Sequence, residues 1–177
     1  ASQVARDEPT NAEVWNLLGL TDLSAGSPAD AVVNFGKAIE LRPNGALYRV
    51  NLARAYMVSG NDKAAAEAMA AARQLEPGLL QLQSLEFLRF ARRGQLDEAR
   101  KVLDGIRAAG LGDETLYDSM EAELLVAGKN PGAAADLYVR GYGRKPNLDL
   151  AVKAWNSRKL ATGTGDMSLL LDWQKRN

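Results

Sequence analysis

The stretch AEVWNLLGLTDLSAGSPADAVVNFGKAIELRPNG, Ala12 to Gly45, reads as two helices joined by a glycine turn and ended by a proline. In its second half Ala31, Phe35, Ala38 and Ile39 recur at spacings of three and four, which puts them on one helical face. A first helix of about a dozen residues precedes Gly26. Gly26 supplies left-handed backbone after that helix, and Pro43 stops the second. Gly19 is the odd residue, because a glycine inside a helix costs about 1 kcal/mol against alanine. Either it marks a ligand-binding turn, or another backbone comes close to it.

The pattern recurs along the chain. Pro9, Pro43 and Pro77 stand 34 residues apart, as do Gly26, Gly60, Gly94 and Gly128. Gly163 and Pro146 each arrive one residue late, which predicts a single inserted residue absorbed in the turn Gly128 to Gly132. The reading is therefore all-α, an array of antiparallel helix pairs. The pairs span residues 12–45, 46–79, 80–113, 114–148 with the inserted residue, and 149–177, truncated. Residues 1–10 take the phase of the end of a preceding second helix, and the last helix stops before its proline position. This predicts a segment of a longer array, because terminal repeats need a polar outer face.

Composition agrees with helices and excludes several chemistries. Alanine and leucine are abundant and β-branched residues scarce. Lysine plus arginine equals aspartate plus glutamate at 22 each, so there is no basic footprint for nucleic acid. Histidine and cysteine are both absent, which removes disulfides, thiolate nucleophiles and nearly every zinc site built from usual ligands. No apolar run is long enough to span a membrane. The expectation is no enzyme, no cofactor and no metal. ATGTGDMS, Ala161 to Ser168, resembles a phosphate loop only in its glycines: it lacks the lysine and reads as a turn. The Asp97-Glu98 and Asp113-Glu114 pairs open helices, where negative charge is favoured.

The first unit resembles a tetratricopeptide repeat (TPR) along its whole length, with Trp15, Leu18, Gly19, Ala31, Phe35, Ala38 and Pro43 at that family's spacings and Asp22 where a tyrosine is usual. The second unit matches with Leu52, Ala53, Tyr56, Ala65, Met69, Ala72 and Pro77, and the third keeps Phe87, Phe90, Gly94 and Ala99 but has Leu111 for its proline. The fourth keeps Tyr117, Gly128, Ala134, Tyr138 and Pro146 and carries Glu121 where a small residue is usual. The fifth keeps Val152, Trp155 and Gly163. The resemblance implies that Gly19 and Ala31 are where the paired helices touch most closely, with Trp15 and Leu18 filling the groove beside them. It also implies a right-handed superhelix, a TPR solenoid, that binds a partner polypeptide on its concave face.

By that resemblance the partner-facing positions are Asn16, Leu20, Leu23, Leu47, Val50, Arg54, Met57, Gln81, Ser84, Leu88, Asp118, Leu125 and Lys153. The set leans apolar, suiting a helix or an extended apolar peptide, with Arg54 as an anchor for an acidic group. Leu47, Val50 and Met57 serve equally as core at that spacing, and Arg54 equally as a solvated charge. A chaperone-tail clamp is not expected, since only Asn51 matches it. The function expected is a protein-interaction scaffold, with no nucleic-acid partner and no insertion of this segment into a membrane. The alternative is a spacer or self-association segment of a larger enzyme or secretion assembly, a homo-oligomer joined through Leu169, Leu170 and Trp173. Alanine-rich, glycine-terminated repeats such as GNDKAAAEAMAAARQLEPG resemble bacterial cell-envelope TPR proteins of exopolysaccharide export or exosortase-type sorting. That texture implies a periplasmic or membrane-associated place over a cytoplasmic one.

Overall fold

The computed structural model describes residues 8–177, so the expectation for the opening residues falls largely outside the described chain. Among the described residues all regular structure is helical. The helices are α1 (Ala12–Ser24), α2 (Pro28–Leu41), α3 (Ala46–Val58), α4 (Asp62–Leu75), α5 (Leu80–Arg92), α6 (Leu96–Ala108), α7 (Glu114–Ala127), α8 (Pro131–Arg144), α9 (Leu148–Thr162) and α10 (Ser168–Arg176). The odd-numbered helices begin 34 residues apart without exception. Two compact units divide the chain after Leu85, inside α5.

In the first unit the turns are fixed locally. Asn11 caps α1 by accepting from the Glu13 amide at 3.0 Å, and Asn61 caps α4 by accepting from the Ala64 amide at 3.2 Å. Gly26 and Gly60 take φ of 76° and 73°. The Ser27 amide reaches back to the Asp22 carbonyl at 2.8 Å, and the Asn61 amide to the Tyr56 carbonyl at 2.9 Å. This closure satisfies carbonyls that the helix end leaves orphaned.

Apolar clusters among the described residues hold this unit. Phe35 is buried with Ala31 and Ala55; Tyr48 is buried with Ala12 and Ala38 against Trp15; and Val50 and Ala53 pack with Met69, Ala72, Leu82 and Leu85. Gly19 is explained differently from the expectation. The space its missing side chain leaves is taken by the Phe35 ring, whose Cε1 lies 2.6 Å from where a Cβ would stand, and not by the backbone at Ala31. Trp15 sits over Ala38 and Tyr48, and its indole N–H donates to the Pro9 carbonyl at 2.9 Å.

The second unit is built on Ala122, Ala134, Tyr138, Tyr142, Leu150, Ala151 and Ala154. Asp113, Asn130 and Asn147 cap α7, α8 and α9 through their side chains. The expected insertion at Gly128 to Gly132 takes another form. Helix α7 has 14 residues where α1, α3 and α5 have 13, and the left-handed residue after it is Lys129, at φ 63°, while Gly128 stays at φ −78°. The connection from α8 to α9 is correspondingly short, so the Asn147 cap falls 34 residues after the Asp113 cap. Helix α10 is short and half-docked. Leu169, Leu170 and Trp173 pack on the core, and Asp172 accepts from the Tyr142 hydroxyl at 2.9 Å. The residues expected to form a sticky end thus face inward, and Leu171, 51% exposed, faces out.

Candidate partner-binding surface

Leu88, Ala91 and Arg92 follow one another on α5 at spacings of three and four, as do Glu123, Val126 and Ala127 on α7. Each trio occupies one helical face, and with Lys153 of α9 the two faces line a groove of about 470 Å³. Every contributor comes from the first helix of a pair. Leu88, Ala91, Val126 and Ala127 give the lining an apolar stretch, and Arg92, Glu123 and Lys153 are its charged members.

Lys153 sits in a tied network. The Lys153 ammonium lies 3.2 Å from Glu123 and 3.2 Å from Asp149, and 5.8 Å above the Tyr138 ring. Burial works to lower the Lys153 pKa, yet the Glu123 and Asp149 carboxylates together carry it above the ordinary lysine value. Burial first, and Glu123 next, push the Tyr138 phenol far above its own. Lys153 therefore stays charged and Tyr138 stays a neutral phenol across the physiological range.

Arginine placement separates structural from available cations. In the second unit Arg100 is held by Glu121, Arg140 and Arg144 by Asp118, Arg158 by Asp136 and Arg176 by Asp172. Arg89 and Arg107 lie over the rings of Phe90 and Tyr117, and Arg93 has a partner of its own. Glu121, unusual at a position where a small residue is common, thus joins α6 to α7 through a two-pronged pair with Arg100.

The thirteen expected positions divide by environment. Leu88 and Lys153 line the groove. Leu125 packs on the second unit's core, and Asp118, buried, accepts from Arg140 at 2.9 and 2.8 Å and from Arg144, which ties α7 to α8. In the first unit Val50 is fully buried, and Asn16 is buried where it accepts from the Asn51 side-chain amide at 2.8 Å, linking α1 to α3. Leu20 and Leu23 pack beside Phe35, and Met57 beside Val50. Leu47, Arg54 and Gln81 are exposed, and Ser84 is half-buried. A second groove, about 490 Å³, lies in this unit between Trp15, Val33, Gly36, Lys37, Leu52 and Tyr56, and it contains none of the expected residues.

The missed lining residues are Ala91, Arg92, Glu123, Val126 and Ala127. Their spacing from Leu88 along α5, and among themselves along α7, is the signal that could have found them. Among the described residues no group of three or more carboxylates stands close enough to hold a metal ion, and no helix is long and apolar enough to cross a membrane.

Comparison with known proteins places the architecture. Residues 22–86 match the family model for the tetratricopeptide repeat. No curated protein matches the sequence. Among solved structures, a thermophilic TPR protein of Thermus thermophilus superposes with a TM-score of 0.71 at 22% identity, covering 86% of this chain and 84% of that one. A chain of the APC/C hetero-tetramer Cut9–Hcn1 gives 0.65 at 16% identity, over 94% of this chain and 36% of that one. The pilF protein of Pseudomonas aeruginosa gives 0.64 at 18%, over 97% and 87%. At these identities the likeness is one of fold.

Proposed function

From the premise that this chain carries tetratricopeptide repeats, we propose that it is a non-catalytic scaffold that binds a partner polypeptide on the face lined by the first helix of each pair. Repeats of this kind generally serve as protein-interaction scaffolds. The observation that carries the reading is the groove of the second unit. Three first helices contribute to it, and Leu88, Ala91, Val126 and Ala127 line it with apolar surface beside the charged Arg92, Glu123 and Lys153. An amphipathic helix or an extended segment with one bulky apolar anchor fits that chemistry. In the first unit Leu47, Arg54 and Gln81 are the exposed members of the expected set.

Capture from cell extract tests it, run on the wild type and on Leu88→Glu and Ala127→Glu variants of unchanged helicity. A protein held by the wild type and released by the variants supports the reading. Equal retention by all three defeats it.

The alanine-rich, glycine-terminated texture of the repeats supports a place in the bacterial cell envelope, periplasmic or membrane-associated, in polysaccharide assembly. Fractionation of the source cells checks this, and recovery in the cytoplasm alone rejects it. One observation favours a self-association surface as the second reading: Leu171 is 51% exposed on a helix with no buried residue, and Leu160 of α9 is 69% exposed. Sedimentation of the wild type against Leu171→Glu decides it, and a wild-type monomer ends that reading.

A further inference from the structure

The charges around the second unit's groove are unevenly partnered. Lys153 is matched by Glu123 and Asp149. Arg92, exposed, lines the groove from α5 with Ala91 and Leu88, and among the described residues it has no ion pair, hydrogen bond or ring contact. Every other arginine of the second unit is engaged. An arginine fork presents five donors in a plane that matches a carboxylate, so an unmatched one bordering an apolar trough is complementary to an anion that arrives with an apolar group.

We propose that the groove receives a polypeptide segment in which a bulky apolar side chain enters over Leu88 and Val126 while a neighbouring aspartate or glutamate pairs with Arg92. The proposal rests on the scaffold reading and specifies the partner's chemistry. A side-chain carboxylate suffices, so the segment is internal and need not end the partner chain. The groove volume, about 470 Å³, accommodates one large side chain and its flanking backbone, and lies within the ~300–1,000 Å³ span of ligand pockets. A basic segment meets the unpartnered Arg92 with like charge and is disfavoured there.

Selection from a display library of random segments of about 16 residues, long enough for a helix-in-groove contact, tests the idea on the whole 177-residue chain. Selected segments are then made as C-terminally amidated peptides and titrated by fluorescence anisotropy against wild type, Arg92→Glu and Ala127→Trp. Both positions are exposed, and circular dichroism confirms folding. The proposal expects segments that pair an acidic with a bulky apolar residue, and a Kd raised about tenfold or more by Arg92→Glu. It also expects recovery when the peptide's acidic residue becomes lysine, and loss of binding to Ala127→Trp. If Ala127→Trp blocks binding while Arg92→Glu leaves Kd unchanged, or if basic segments are selected, the acidic anchor is overturned and the groove stands. If no segment is selected, or selected segments ignore Ala127→Trp, the groove itself is overturned and the anchor falls with it.

Discussion

Replacing Gly19 with alanine sets two known effects against each other. The change adds helix propensity worth about 1 kcal/mol. It also places a methyl group 2.6, 2.7 and 2.8 Å from Cε1, Cδ1 and Cζ of Phe35. Carbon atoms rest at roughly 3.5–4.0 Å, so the ring must retreat by about 1 Å. Phe35 is fully buried with Ala31 and Ala55 and has Leu20, Leu23, Val32 and Leu52 around it, leaving no open side to move toward. Overpacking of this kind costs about 1–3 kcal/mol. The upper part of that range exceeds the propensity gain, and the net expectation is a loss of about 1–2 kcal/mol. Gly36, in α2, is the internal control, since nothing lies within 4 Å of a Cβ built there. Gly36→Ala is expected to gain up to about 1 kcal/mol. Urea unfolding followed by circular dichroism at a common wavelength compares the two midpoints at matched m-values. In the double variant Gly19→Ala with Phe35→Leu, the smaller side chain relieves the clash, so its loss is less than the sum of the single losses. Should Gly19→Ala stabilise as Gly36→Ala does, the close-approach account of Gly19 is wrong.

Three further expectations follow from the geometry. Asp118→Ala strands Arg140 and Arg144 and costs about 1–3 kcal/mol in thermal unfolding. That is less than a fully buried pair because both guanidinium groups reach solvent, and a neutral result would show that the network contributes nothing. Lys129→Gly removes a left-handed penalty and stabilises by about 1 kcal/mol, whereas Gly94→Ala, at φ 71°, costs a similar amount; equal signs in the same unfolding assay refute the assignment of the turn residue. The Tyr142 hydroxyl first, and Arg176 next, hold the Asp172 carboxyl below its ordinary value. Its contribution is therefore complete above the ordinary carboxylate pKa near 4 and is lost as pH falls from there through the depressed folded-state value. Helix α10 should undock along that acid limb, read by Trp173 fluorescence, and Tyr142→Phe should move the loss to higher pH; an unchanged acid limb in Tyr142→Phe contradicts the assignment.

The helical frame was legible in the sequence because its punctuation is chemical and local. Asn11, Asp113 and Asn147 cap helices through their own side chains, and Gly26, Gly60, Gly94 and Gly163 take the left-handed conformation a turn requires. Lys129 was not legible, because nothing in a lysine announces positive φ and the adjacent Gly128 invites the role. The surface was harder to read, since helical spacing gives a face but not what covers it. Leu47 is 38% exposed and Val50, one turn on, is fully buried under neighbours that include Leu82 and Leu85. Asp118 looked available until α8 supplied two arginines from more than twenty residues away. Arg92 reads as one more surface charge until the partners of all the other arginines in its unit are known.

The central claim is that the first-helix groove of the second unit is where a polypeptide binds. Site-specific photo-crosslinking measures that contact directly, with a benzophenone side chain placed at position 127 in the groove and, as control, at exposed position 101 on α6, in the cells that make the protein. The account predicts a crosslinked polypeptide from position 127 and none from position 101. The same products from both positions, or none from position 127, contradict it.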